Sequence, residues 1–212
     1  MNMTEDEQIA SLKEWWSRNG MPLVTGGLLA LAVVFGWQAW QNYQTNKAQG
    51  ASLVYQQLVE TALGAEKPDT ARVAELSAQL KKEFGGTHYA QFGSLFVAKV
   101  AVEAGQLDEA AAELRAVLDK PASADLEELA RQRLARVLSA QGKGEEGLAL
   151  LDGEVDAAYL AGREELRGDL LLQLGRKQEA FAAYSKAKDA LPVNGAAGTL
   201  QLKLDDLANG DA

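Results

Sequence analysis

Residues 168–192 read GDLLLQLGRKQEAFAAYSKAKDALP, and this stretch decides the fold. Apolar residues recur at helical spacing on both sides of Gly175, and Pro192 ends the run. A glycine between two helical segments permits a tight turn, because it adopts backbone angles that other residues avoid. Gly168 and Ala180 lie on opposite sides of that turn, where small residues let two helices approach closely. The stretch therefore predicts a helical hairpin.

The same arrangement occurs twice more upstream. Glycine is followed four residues later by Glu and then by a small residue in segments 105–110 (GQLDEA), 142–147 (GKGEEG) and 175–180 (GRKQEA). Successive glycines are 37 and 33 residues apart, and these offsets bracket the tetratricopeptide period of about 34 residues. Hairpins of this kind gain stability by stacking on their neighbours. We therefore predict an all-α, tetratricopeptide-like solenoid whose first helices line a concave face.

Flanking segments predict the rest of the stack. Residues 52–63 and 69–84 form a degenerate helix pair in this interpretation, with Asp69 as the N-cap of its second member. A last helix near residues 197–208 is expected to cover the open end. Residues 152–162 break the period and predict a longer connection between two units.

A second informative stretch lies near the N-terminus. Residues 19–46 contain no charge, and residues 21–40 read MPLVTGGLLALAVVFGWQAW. A helix of about 20 residues spans the roughly 30 Å of a bilayer core. Trp16 and Trp37 would lie about 31 Å apart on such a helix, as interfacial aromatic residues do. A cleaved signal peptide would have a shorter apolar run followed by a cleavage site with small residues, so we predict one uncleaved transmembrane anchor.

Basic residues beside the anchor predict its orientation. Lys13 and Arg18 precede it, and only Lys47 lies close after it. Because basic residues favour the cytoplasmic side, the N-terminus is expected in the cytoplasm. The predicted order is a cytoplasmic segment, a transmembrane anchor, a juxtamembrane linker and a repeat domain, in residues 1–20, 21–40, 41–50 and 51–212.

Small residues in the anchor suggest a docking face for another membrane helix. Gly26 and Ala30 are four residues apart, as are Ala32 and Gly36. This spacing lets helix backbones approach closely in lipid. Glycine is common in transmembrane helices in any case, so a span without a dedicated partner is the alternative.

Composition argues against several functions. The chain has 21 Lys and Arg against 30 Asp and Glu, so we expect no basic face for nucleic acid. It has no Cys and a single His, His88, which leaves little for thiol chemistry, metal sites or catalytic triads. Thr87 is expected to cap the helix that begins at His88. We predict a non-enzymatic protein that uses no cofactor or metal, with membrane lipid around its anchor.

Adjacent acidic pairs do not change that expectation. Neighbouring residues do not share a helix face, so pairs such as Glu127–Glu128 and Glu164–Glu165 cannot converge as an acid–base dyad. We interpret them as solvated surface or as favourable charge near helix N-termini.

One aromatic stripe offers candidate contacts for a partner. Tyr89, Phe92 and Phe96 lie at positions i, i+3 and i+7 of a predicted first helix. Core packing is the usual role of such a stripe. Tyr89 and Phe92 are nevertheless the candidates for contact in the groove.

An ordered set of short motifs accompanies the span and Gly175. These motifs are residues 4–8 (TEDEQ), 41–44 (QNYQ), 86–90 (GTHYA), 165–169 (ELRGD), 179–184 (EAFAAY) and 202–207 (LKLDDL). Together these features resemble the ancillary SecYEG translocon subunit family of Gram-negative bacteria, over nearly the whole chain.

The resemblance implies a single-pass inner-membrane protein with its repeat domain in the periplasm. Its implied partners are the SecYEG translocon, a membrane-anchored periplasmic prolyl isomerase, and unfolded or emerging secreted proteins. Assisting or relaying translocated envelope proteins within a chaperone network is the implied function, and the family offers no catalytic residues to carry over. The alternative is a scaffold or adaptor that links envelope complexes without binding clients.

Overall fold

The computed structural model describes residues 5–64, 68–192 and 198–209, and within these ranges every regular element is an α-helix. The helices are α1 (Glu5–Leu63), α2 (Thr70–Phe84), α3 (His88–Glu103), α4 (Leu107–Asp119), α5 (Ala124–Ala140), α6 (Gly144–Leu150), α7 (Ala157–Gln173), α8 (Lys177–Asp189) and α9 (Gly198–Asn209). Contacts divide the chain into two units, Met1–Gln49 and Gly50–Ala212. Residues 1–4 of the expected cytoplasmic segment lie outside the described residues.

The first unit consists of the N-terminal part of α1. This helix is long and apolar enough to cross a membrane, and only 6% of its apolar 18-residue stretch is buried. A core helix of a soluble protein would bury at least one face, so this exposure fits a single-pass span. Helical structure continues through residues 41–50, the segment expected to link the anchor to the repeats.

The second unit contains three helical hairpins whose turns share one geometry. Three residues separate α3 from α4, α5 from α6, and α7 from α8, and the middle residue is a glycine each time. Gly105, Gly142 and Gly175 have φ of +75°, +77° and +77°, angles that favour glycine over any other residue. The amide that follows each glycine donates back to the preceding helix at 2.7–2.9 Å, as in a Schellman turn. The predicted glycine turns are confirmed.

The packing order of the helices gives the stack an inner layer. Each helix from α2 to α8 packs on the next one, and α5 also contacts α3 and α7. Between second helices, no comparable contacts join α4 to α6 or α6 to α8 in the described part of the chain. The first helices are therefore closer together, as on the concave side of a solenoid. We name the surface of α3, α5 and α7 the first-helix face.

The last hairpin packs most closely where α7 crosses α8. A Cβ on Gly168 would lie 2.5 Å from Cδ1 and 2.9 Å from Cζ of Tyr184. Tyr184 is 1% exposed, and its hydroxyl donates to Asp169 Oδ1 at 2.8 Å. A glycine in the first helix thus seats the aromatic ring of the second.

The degenerate pair at the start of the stack is also present. Residues 50–63 of α1 pack with α2 and α3 around the buried side chains of Leu58, Leu76 and Leu80. Asp69 caps α2 by accepting a hydrogen bond from the Arg72 amide at 3.0 Å. Thr87 caps α3 through the amide of Ala90, so both predicted caps are confirmed.

The expected long connection over residues 152–162 is wrong in its second half. Helix α7 already begins at Ala157, with the Asp156 side chain accepting from the amide of Ala158 at 2.9 Å. Gly162 lies inside the helix, where an added Cβ would meet only Gln132 Oε1 at 3.9 Å. The period breaks because α6 has only seven residues, and side chains of α7 hold the short connection that follows it.

Helix α9 covers the open end, as predicted. Leu200, Leu204 and Leu207 pack on the core of the last hairpin. Lys203 donates to Glu165 Oε1 at 2.8 Å and to Asp169 Oδ1 at 2.6 Å, which joins α9 to α7. The predicted helix start at residue 197 lies outside the described residues.

Candidate protein-binding surfaces

Tyr89 and Phe92 belong to a group of four half-buried rings, which we name the aromatic cluster. Tyr55 lies at its centre, with ring centroids 5.4 Å from Tyr89, 5.8 Å from Phe92 and 6.0 Å from Phe96. Such distances favour tilted and edge-to-face aromatic packing. The rings join residues 50–63 to α3 and are still partly open to solvent. Packing and contact with a partner are therefore compatible roles for the two predicted residues.

Sequence reasoning missed Tyr55 because its ring partners are 34 or more residues away. Burial, and then the nearby Tyr89, raise the pKa of the Tyr55 phenol above its usual value. The ring therefore stays neutral well into alkaline solution, and the cluster presents an uncharged surface.

Exposed aliphatic side chains continue along the first-helix face. Val102 on α3, Leu129 on α5 and Leu172 on α7 are 42%, 39% and 38% exposed. A single exposed leucine on a protein surface needs no explanation. One on each first helix means that every hairpin contributes an exposed aliphatic side chain to this face, which the acidic composition did not predict.

A cavity of about 390 Å³ opens between α3, α4 and α5, and we name it the α3–α5 pocket. This volume lies near the lower end of the roughly 300–1,000 Å³ typical of ligand sites. Its apolar lining consists of Ala98, Val102, Leu107, Leu114, Val137 and Ala140. Its charged lining consists of Lys99, Glu103, Arg133 and Arg136.

A second cavity, of about 420 Å³, lies between α6, α7 and α8 and is lined mainly by charged residues. Its arginines are paired within the protein. Arg176 reaches Glu145 at 3.2 Å and Glu179 at 2.6 Å, and Arg167 pairs with Asp152 at 3.0 Å. Those guanidinium groups are thus already occupied.

A buried ion pair joins α5 to α7. Arg163 Nε donates to Glu128 Oε1 at 3.0 Å, and the two side chains are 5% and 7% exposed. Burial acts to raise the pKa of the Glu128 carboxyl, but hydrogen bonds from Arg163 and Gln132 and the charge of Arg131 hold it below its usual value.

The interpretation of Glu128 as solvated surface is therefore wrong, because its cationic partner is 35 residues away in the next repeat. Glu164 departs from that interpretation as well, since its side chain is only 12% exposed and lies 3.7 Å from Arg167 Nε.

Potential metal-binding side chains are not clustered in the part of the chain that the structure describes. Within residues 5–64, 68–192 and 198–209, no three His, Cys, Asp or Glu side chains are grouped so as to hold a metal ion. His88 is exposed in the first turn of α3.

The four small residues of the anchor lie on an exposed part of α1. A Cβ added to Gly26 or Gly36 would meet nothing within 4 Å. At about 100° per residue, the midpoints of the Gly26/Ala30 and Ala32/Gly36 pairs are about 120° apart around the helix. The two pairs therefore form two small-residue stripes on α1, and their use in docking another membrane helix stays a prediction.

Known proteins share sequence similarity with this chain over both its N-terminal helix and its repeats. The profile of a family described as "Tetratricopeptide repeat-like domain" matches residues 13–209. A protein of Escherichia coli (strain K12) named "Ancillary SecYEG translocon subunit" is 32% identical, with 96% of this chain and 97% of the relative aligned. Proteins of the same name from Neisseria gonorrhoeae (strain ATCC 700825 / FA 1090) and Haemophilus influenzae (strain ATCC 51907 / DSM 11121 / KW20 / Rd) are 30% and 26% identical.

Coverage is also high for these two relatives. The aligned region spans 97% of this chain and 98% of the Neisseria protein, and 89% of this chain and 91% of the Haemophilus protein. The similarity therefore includes both the apolar N-terminal helix and the repeats. The chain belongs to the ancillary SecYEG translocon subunit family, and its repeats belong to the tetratricopeptide repeat-like family.

Proposed function

We propose that this protein is a membrane-anchored, protein-binding subunit associated with the Sec translocon, which assists or relays envelope proteins as they emerge. The observation that carries the proposal is the set of exposed aliphatic side chains on the first-helix face, in a chain that also has an exposed N-terminal span. The names of its relatives support the translocon as the partner. Helix-lined grooves suit short extended or helical segments.

The proposed orientation puts residues 1–20 in the cytoplasm, residues 21–40 in the inner membrane and residues 51–212 in the periplasm. Lys13 and Arg18 before the span, against Lys47 after it, support this direction. In this arrangement the repeats stand where secreted chains leave the translocon.

The anchor has a physical role in the proposal. Tethering raises the effective concentration of the groove near the translocon exit, so weak contacts suffice to retain an emerging chain. The partners that we propose are the SecYEG translocon, a membrane-anchored periplasmic prolyl isomerase and unfolded secreted proteins. The protein acts by binding rather than by catalysis.

The small-residue stripes of α1 favour a second candidate function. Two stripes allow the anchor to contact two membrane helices at once. A scaffold that links envelope complexes through its anchor would use these stripes and leave the first-helix face without clients.

Site-specific photocrosslinking separates the two candidates. The crosslinker is placed at Phe92 on the first-helix face, at Gly26 and Gly36 in the anchor, and at exposed Ala116 on α4 as a control. We expect anchor positions to crosslink to translocon helices and Phe92 to crosslink to emerging secreted chains, with no client at Ala116. Crosslinks from Phe92 to one folded envelope protein, and to no emerging chain, would support the scaffold instead.

A further inference from the structure

Two arginines at the rim of the α3–α5 pocket have unused binding capacity. Arg133 and Arg136 are three residues apart on α5, and both are exposed. Neither guanidinium has a hydrogen-bond or ion-pair partner among the residues that the structure describes. The third cation of the rim, Lys99, pairs with Glu103 at 2.5 Å, so the rim carries a net charge of about +2.

Two like charges beside an apolar surface are unfavourable without an anion. Partial burial, and then the neighbouring charge of Arg136, lower the pKa of the Arg133 guanidinium. Both groups remain cationic, because arginine stays protonated in proteins. This local positive charge contrasts with the net charge of the whole chain, which is −9. It also contrasts with the second cavity, where Arg176 and Arg167 are already paired.

We propose that the α3–α5 pocket binds a peptide segment in which an aliphatic side chain stands next to a carboxylate. The apolar wall of Val102, Leu107 and Val137 receives the aliphatic group, and the two guanidinium groups receive the carboxylate. A guanidinium offers a planar pair of donors that matches a carboxylate in geometry. This inference rests on the proposed protein-binding function and names the chemistry of the bound segment.

The apolar lining favours this occupant over a nucleic acid. Phosphate backbones are bound by extended basic surfaces, whereas this rim has two free cations above an aliphatic wall. The carboxylate has two sources in a protein, the chain terminus and an Asp or Glu side chain. The experiment distinguishes them.

The test uses full-length protein in detergent and a fluorescein-labelled peptide, Gly-Ser-Gly-Leu-Leu-Glu, with a free C-terminus. Fluorescence anisotropy gives the Kd of the native chain and of the Arg133→Gln/Arg136→Gln variant. The control is Lys82→Gln/Arg115→Gln, which removes the same charge from two exposed cations on α2 and α4. Circular dichroism verifies that both variants are folded.

We expect the rim variant to bind at least tenfold more weakly and the control to bind within about twofold of the native chain. Loss of two charge-assisted hydrogen bonds accounts for a change of this size. Added salt should weaken binding to the native chain more than to the rim variant.

Two further peptides identify the source of the carboxylate. One keeps Glu and has an amidated C-terminus, and the other replaces Glu with Gln and keeps the free C-terminus. If the amidated peptide binds more weakly, the arginines bind the C-terminal carboxylate. If the Gln peptide binds more weakly, they bind the Glu side chain.

Equal affinity of the native chain and the rim variant would overturn the inference, and so would the absence of binding by the native chain at millimolar peptide. The photocrosslinks from Phe92 do not involve this pocket. If they reach emerging chains while the peptide test fails, the inference is wrong and the proposed function stands. If the peptide binds through the arginines and no crosslink forms, the proposed function fails instead.

Discussion

Replacing Gly168 with alanine tests the closest helix contact of the repeat stack. The added Cβ would lie 2.5 Å from Tyr184 Cδ1 and 2.9 Å from Cζ. The ring cannot easily move, because Tyr184 is 1% exposed and its hydroxyl is bonded to Asp169 at 2.8 Å. We expect Gly168→Ala to destabilise the second unit.

The magnitude follows from two opposing effects. Alanine favours a helix over glycine by about 1 kcal/mol. Overpacking a tight core costs about 1–3 kcal/mol, and the short distances at Gly168 place it near the upper end. The net loss of unfolding free energy is therefore about 2 kcal/mol, which corresponds to a decrease in Tm of about 4–8 °C.

Gly162 provides a matched control on the same helix. Its added Cβ would meet only Gln132 Oε1 at 3.9 Å. Gly162→Ala should therefore raise the free energy of unfolding by about 1 kcal/mol through the higher helix propensity of alanine, and raise Tm by about 2–4 °C. Thermal unfolding of the full-length protein in detergent, followed by circular dichroism at 222 nm, measures both variants. Equal Tm changes for the two variants would refute the packing account of α7 and α8.

Three further results are expected. Glu128→Gln should lower the free energy of unfolding in urea at pH 7 by about 3–5 kcal/mol, because it leaves Arg163 buried without its charge partner. Since the pKa of Glu128 is lower in the folded state, its stabilising contribution exists above the unfolded pKa and disappears as pH falls through the folded pKa. The variant and the native chain should therefore become equally stable in acid, and a difference that stays constant with pH would contradict this. Burial, and then the hydrogen bond to Asp169, raise the pKa of Tyr184, so its stabilising effect is complete below the unfolded pKa and is lost as pH rises through the folded pKa. In a pH titration followed by absorbance at 295 nm, Tyr184→Phe should show one late-ionising tyrosine fewer than the native chain. Full-length protein in nanodiscs should delay aggregation of an unfolded envelope protein if it binds clients directly, and no delay at any molar ratio would exclude that activity while leaving the adaptor role intact.

The local features of the fold could be predicted from the sequence. The turns at Gly105, Gly142 and Gly175 were predictable because a positive φ between two helical runs is a property of a few adjacent residues. Asp69 and Thr87 were predictable as caps for the same reason. The start of α7 was placed too late because residues 152–162 break the repeat period, although Asp156 caps the helix at Ala157.

The contacts between repeats could not be predicted. Glu128 and Arg163 are 35 residues apart, and Tyr55 meets Tyr89 across a similar separation. Such pairs depend on the register in which one hairpin stacks on the next, and that register is set by packing over the whole interface. That Arg133 and Arg136 have no hydrogen-bond or ion-pair partner among the described residues could likewise be seen only in the structure.

The central claim is that the first-helix face of an anchored repeat domain binds emerging secreted chains outside the cytoplasm. The chain has no cysteine, so single substitutions Val102→Cys on α3 and Ala116→Cys on α4 each give one labelling site at an exposed position. The decisive measurement is the rate at which a membrane-impermeant maleimide labels each thiol in intact cells from which the outer membrane has been removed. We predict that both thiols are labelled when protein synthesis is stopped, and that active secretion slows labelling at residue 102 but not at residue 116. Labelling at residue 102 that is independent of secretion, or no labelling of either thiol from the periplasmic side, would contradict the claim.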